Sequence, residues 1–165
     1  MAATGGSVAV LLGVPAAVAA PSAAILRTLD QVQKHLLPSE PDAPGAREIN
    51  AMAYLQFVLG DERLDAEDRE LLLTGAAALD NLSRKYERAR FVELDTDGRE
   101  RALRRMVGSP GGEHWVSSMI TYLLEALLCA PAYGGNPDRI GWRWVGHQPG
   151  FPLPDTDHIY PKLPL

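Results

Sequence analysis

One cysteine, Cys129, stands among 165 residues, and a lone thiol excludes both an internal disulfide framework and a zinc site built from several cysteines. That thiol is buried, free, or paired with another chain. Histidine is scarce too: His35, His114, His147 and His158 are the four, and none falls in a His-x-x-x-His or similar pair that would set two imidazoles on one metal. No Gly-x-Gly-x-x-Gly or Walker pattern occurs, so Gly134-Gly135 is not a phosphate cradle and a flavin-binding fold is not expected. Positive charge is the smaller share. Sixteen Lys and Arg against 21 Asp and Glu leave a formal charge of -5, the wrong sign for a protein whose main task is to hold a phosphate backbone, and nucleic acid is set aside as a partner. Convincing strand alternation and internal repeats are missing as well.

Charge is absent altogether from the first twenty-six residues, where Val8 to Ala20 forms an apolar, alanine-rich run before Pro21. Ala17-Val18-Ala19 fits a small-x-small cleavage site, and the run is too short and too weakly apolar for a membrane-spanning helix. Residues 1–21 are therefore read as a signal-peptide remnant, or else as an apolar segment that packs on the domain. The basic front end of a signal is missing, which points to a true start upstream.

Residues 22–130 carry helical patterning. Ile25, Leu29, Val32 and Leu36 recur at steps of four and three after Ser22, a suitable N-cap. The proline-rich stretch 38–45 then ends any helix. A second helix is predicted over 46–59, burying Ile49, Met52, Phe57 and Leu59 and closing on Gly60 as a left-handed cap. The third has acidic residues at its start (Asp65, Glu67, Asp68, Glu70) and basic ones at its end (Arg84, Lys85, Arg88), matching the helix dipole. Its predicted inward stripe is Leu71, Gly75, Leu79, Leu82 and Tyr86, with Leu72 and Ala76 beside it. A shorter helix over 97–107, capped by Asp95 or Thr96, puts Arg101, Arg104 and Arg105 on one face, which is either solvated or turned to an acidic partner. Residues 112–129 supply two apolar stripes, Trp115-Met119-Tyr122-Ala126 and Val116-Ile120-Leu123-Leu127. This is the predicted central helix, with Ser118, Thr121 and Glu125 left to meet water, a polar neighbour or another subunit.

After Pro131 the periodicity breaks, and residues 131–165 are dense in proline, glycine and aromatics. The expectation is an all-α bundle of about five helices with a long irregular, non-helical C-terminal tail. Such a tail must lie on something. It either straps across its own bundle, with Trp142 and Trp144 filling grooves, or supplies anchors for a subunit interface, and the two can coexist. The interface candidates are Tyr133, Gly134, Gly135, Asn136, Trp142, Trp144, His147, Phe151 and Tyr160.

The run Pro131-Ala-Tyr-Gly-Gly-Asn136, followed by Gly141-Trp142 and by Gly146-His147-Gln148-Pro149-Gly150, resembles the small, or gamma, subunit of the gluconate 2-dehydrogenase type (subunit 3), and the long helix before it and the Leu37-Pro38 loop fit the same pattern. The resemblance implies a hetero-oligomer. A large FAD-containing subunit of the GMC type oxidises a sugar or sugar acid, a multihaem cytochrome c subunit often takes the electrons, and the small subunit supports folding, stability and export in a chaperone-like way. It implies no cofactor in this chain, a periplasmic location, membrane association only through the complex, and a twin-arginine (Tat) signal, whose paired arginines this sequence lacks. A flavin subunit loaded in the cytoplasm must fold before export, so a signal-bearing companion can carry it across.

Catalytic and metal-binding residues are accordingly expected to be none. Asp155, Asp157 and His158 cluster in a proline-rich segment poorly suited to a fixed ligand shell. Glu113 and His114 are adjacent and point about 100° apart on a helix, which is no ready dyad. The rival reading is a stand-alone interaction protein, or a small enzyme using His114, His147 or Asp155. Cys129, at the end of the central helix, is either a buried free thiol or half of an intersubunit disulfide.

Overall fold

The computed structural model describes residues 20–163; the apolar run and the Ala17-Val18-Ala19 cleavage site lie outside the described residues. Among the described residues six α-helices follow one another: α1 (Ala23–Leu36), α2 (Ala51–Gly60), α3 (Ala66–Tyr86), α4 (Thr96–Val107), α5 (Gly112–Leu128) and α6 (Ile140–Val145). Among the described residues there is no strand, only an isolated bridge between Glu40 and Ala43. Helix α5 is central, as its two stripes predict: it packs against α1, α2, α3, α4 and α6.

The helix starts follow from local chemistry. Ser22 Oγ accepts from Ile25 N at 3.3 Å to cap α1, and Asp95 Oδ1 accepts from Gly98 N at 2.8 Å to cap α4; each satisfies one donor that helix geometry leaves free. The arginine face of α4 is answered within the chain. Arg101 lies 2.7 Å and Arg105 4.0 Å from Glu87, and Arg104 lies 2.6 Å from Glu100. The Arg101 guanidinium holds the Glu87 carboxyl below the usual range, and the hydrogen bond to His35 does the same for Glu100.

The main core joins α1, α2, α3, α4 and α5 around Leu29, Val32, Leu55, Leu72, Leu79, Leu103, Met106, Trp115 and Met119, with Phe91 entering from the connection between α3 and α4. One close contact in it sets the rotation of α3. Gly75 lies flat against the Trp115 indole, and the indole Nε1 donates to Leu72 O at 3.1 Å. Leu72, Gly75, Ala76, Leu79 and Ser83 are therefore the buried line. The predicted stripe was turned from this: Leu71 and Leu82 are only partly buried and Tyr86 is 49% exposed, its ring lying under Lys85 and Arg105. Ile120 on α5 is likewise exposed rather than inward.

Two boundaries differ from expectation for identifiable reasons. Helix α2 begins at Ala51, not Ala46, because Asn50 takes a left-handed conformation (φ 55°) and hands its side-chain amide to Gly134 O at 2.9 Å. Gly60 is the last residue of α2 and makes no left-handed cap; Asp61 follows in extended geometry. The α2 carbonyl end is instead met by Arg69 of α3, which donates to Leu59 O and to Asp61 O. The larger correction is that the tail contains a helix. Residues between Pro137 and Pro149 are free of proline, Asn136 Oδ1 accepts from Gly141 N at 2.8 Å near the start of α6, and Gly146 (φ 68°) with His147 N donating to Trp142 O at 2.8 Å ends it in a Schellman arrangement. Trp142 fills a groove on α5, but Trp144 does not: it is 48% exposed.

A β-carbon on Gly75 would sit well inside van der Waals contact with the Trp115 ring. Gly75→Ala should lower stability by about 1–3 kcal/mol through overpacking, read as a shift of the urea midpoint. A gain of about 1 kcal/mol, the usual helical Gly→Ala effect, would show that the indole does not rest there.

Candidate partner interface

The tail signature stands at the carbonyl end of α5. A helix leaves its last four carbonyls without intrahelical donors, and here two are taken by side chains from the tail: Trp142 Nε1 donates to Leu128 O at 2.7 Å, and Asn136 Nδ2 donates to Cys129 O at 2.9 Å. Asn136 is fully buried and left-handed (φ 50°), and its backbone N–H donates to Ile49 O at 2.8 Å. One residue thus ties α5, α6 and the turn before α2 together. Gly135 permits that approach, since a β-carbon there would come within 2.7 Å of Ala126 O. A β-carbon on Gly141 would come closer still to Leu127 O.

The nine interface candidates therefore separate. Gly135, Asn136 and Trp142 are occupied by contacts within the chain. Gly134 accepts from Asn50, and Tyr133, partly buried, packs edge-on against Phe57 at 5.5 Å and accepts from Tyr160 N at 3.1 Å. His147 is exposed with its ring 5.6 Å from that of Trp142. Trp144, Phe151 and Tyr160 present large apolar surface outward.

Sequence reasoning missed a second set of exposed apolar residues. Ile120, Leu124 and Leu128 repeat every four residues along α5, all exposed, with Leu124 at 53%. Trp144 and Val145 add exposed apolar surface on α6, which packs on α5. The signal was present in α5: Leu124 and Leu128 are apolar yet belong to neither predicted inward stripe. Exposed stripes of this kind are characteristic of association surfaces. Next to them, Glu125 accepts from Tyr54 Oη at 2.9 Å, and burial together with that bond holds the Tyr54 phenol above its usual range.

The remaining reactive groups are scattered. His35 contacts Glu100 at 3.0 Å between α1 and α4, beside an open pocket of about 380 Å³ lined by Leu36, Glu100, Leu103, Arg104, Val107 and Val116. His114 is exposed near the start of α5, and His158 bonds Asp155 at 2.8 Å in the tail. Among the described residues no group of three or more His, Cys, Asp and Glu side chains is placed to hold a metal ion. Cys129 donates to Ala126 O at 3.6 Å and packs against Gly135, and burial pushes its thiol up to about 11. Pairing with a second chain would cost the thiol its hydrogen bond to Ala126 O.

The family model of gluconate 2-dehydrogenase subunit 3 matches residues 23–150, from α1 through the tail signature. The chain belongs to this family. Its name marks such chains as one subunit of a dehydrogenase made of several. In this chain the buried Asn136 joint shows that part of the Tyr-Gly-Gly-Asn run serves the fold itself. No curated protein and no solved structure matches the chain. No helix among the described residues of this subunit is long and apolar enough to cross a membrane.

Asn136→Ala leaves the Cys129 carbonyl and the Gly141 amide buried without partners and should cost about 2–5 kcal/mol, measured by chemical denaturation; a change under about 0.5 kcal/mol, the level of ordinary surface substitutions, would contradict the joint. For Cys129, the thiolate fraction at pH 8 is about two orders of magnitude below that of an ordinary thiol. Alkylation of the native chain should be slower than that of the unfolded chain by about one to two orders of magnitude, the higher nucleophilicity of a more basic thiolate offsetting part of that ratio. Its rate should climb about tenfold per pH unit, because only the deprotonated form reacts, and level off only near pH 11. A plateau near pH 8.5, the ordinary thiol value, would show an exposed sulfur.

Proposed function

We propose that this subunit is a non-catalytic accessory chain that binds the FAD-bearing large subunit of a sugar or sugar-acid dehydrogenase, stabilises it and accompanies it across the cytoplasmic membrane. The observation that carries the reading is the exposed apolar line Ile120–Leu124–Leu128 of α5, with Trp144 and Val145 of α6. A small chain that displays such residues on its central helix has a face suited to another protein, because burying them against water-free contacts releases hydrophobic free energy that the isolated chain forgoes.

The reading assigns flavin chemistry to the large subunit and electron transfer onward to a cytochrome c subunit where one is present. This subunit contributes shape. Export in the folded state follows from the same logic: a flavin inserted in the cytoplasm demands a finished fold, and a companion docked on that fold can carry the address. Periplasmic location and membrane association through the complex complete the proposal.

Leu124→Arg tests it. Leu124 lies outside both clusters of buried residues, so the melting midpoint of the isolated subunit should stay within about 2 °C, a shift below 1 kcal/mol for a domain of this size. Affinity for the flavin-bearing subunit from the native complex should fall at least about tenfold, as for a charge forced into an apolar contact. Unchanged affinity, or substrate oxidation by the small subunit alone, would overturn the assignment.

A further inference from the structure

We propose that Phe151 is an anchor by which the C-terminal strap, residues 148–163, engages the flavin-bearing large subunit, seating in an uncharged apolar pocket on it; this rests on the accessory-subunit reading. Phe151 is 85% exposed, more than any other large hydrophobic residue among those described. It stands in Gln148-Pro-Gly-Phe-Pro-Leu-Pro154, seven residues without a charge. Aromatic side chains that seat in a partner's pocket are typical of the few residues that dominate protein interfaces.

The strap is tied to the body at both ends before any partner arrives. At its start, His147 N donates to Trp142 O at 2.8 Å. At its end, Arg63 donates to Tyr160 O at 2.6 Å and Pro161 O at 3.1 Å, with its guanidinium 4.6 Å above the Tyr160 ring, while Tyr160 N donates to Tyr133 Oη and Ile159 is buried. Between these ends, Asp155 Oδ1 accepts from the amides of Asp157 and His158, and Lys162 Nζ donates to Thr156 O. Pro149, Pro152 and Pro154 restrict the backbone around Phe151. The two ends are thus ordered in the free subunit, and between them the prolines narrow the backbone freedom that Phe151 must give up on binding.

The lack of charge from 148 to 154 selects the partner's chemistry: an apolar pocket, insensitive to salt. Asp155 and Asp157 follow directly, and with the overall charge of -5 they make an anionic membrane surface the poorer occupant. The family match ends at residue 150. Phe151 follows the matched residues directly.

The test uses the full-length subunit and the flavin-bearing subunit isolated from the native complex, with Kd and dissociation rate measured at low and high salt. Phe151→Ala should raise Kd at least about tenfold, chiefly through faster dissociation, by the same factor at both salts. Arg63→Ala, which unties the strap, should give a smaller loss. Because both act through one contact, the double variant should bind no worse than Phe151→Ala alone. If Phe151→Ala binds within about twofold of the parent while Leu124→Arg does not bind, a difference well beyond ordinary surface effects, the anchor is overturned and the accessory-subunit reading stands. If the parent itself fails to bind the flavin subunit, both are overturned. Loss of binding to mixed phosphatidylcholine and phosphatidylglycerol vesicles with Kd unchanged would reassign Phe151 to a membrane and overturn the proposal.

Discussion

The carbonyl end of α5 is the constraint on which the arrangement of this subunit turns. A long central helix must end somewhere, and its last carbonyls need donors. The chain supplies them from the tail: the Asn136 amide for Cys129 and the Trp142 indole for Leu128. Meeting that need draws the tail back onto the bundle, fixes where α6 lies, and so places Trp144 and Val145 at the surface. Asn136 also holds Ile49, which brings the turn before α2 into the same joint. The fold and the outward surface are two results of one hydrogen-bonding requirement.

A second constraint acts at the other half of α5. Trp115 is the largest fully buried side chain, and room for it exists because Gly75 lacks a β-carbon. With the indole bonded to Leu72 O, α3 and α5 have little freedom to slide or rotate. Between these two fixed points the opposite face of α5 carries Ile120, Leu124 and Leu128 into solvent. A surface on a helix pinned in this way is pre-set, so association need not wait for rearrangement.

Much of the bundle was legible because it rests on local rules. Ser22 and Asp95 are caps within three residues of their partners, and the four-and-three spacing of α1 and α5 needs no distant information. The departures share a physical cause, a partner outside the element it shapes. Asn50 turns left-handed for a carbonyl at Gly134, the α2 end is capped by Arg69 across a turn, and the α3 face is chosen by Trp115 forty-three positions from Leu72. The tail signature illustrates the same limit at the candidate site. A Tyr-Gly-Gly-Asn run looks alike whether it packs inward or outward, and only the carbonyls it meets reveal that Gly135 and Asn136 face in while Trp144 and Phe151 face out.

The Arg63 clasp has a temporal consequence. Its donor lies in the corner between α2 and α3 and its acceptors lie 97 and 98 residues later, while the Tyr133 hydroxyl that helps hold Tyr160 belongs to the turn after α5. Contacts so remote in sequence close late, since each must await the pieces it joins. The strap can settle only on a bundle already assembled. A partner that grips it would discriminate mature molecules from half-made ones, because the last part of the chain to find its place reports that the rest is complete.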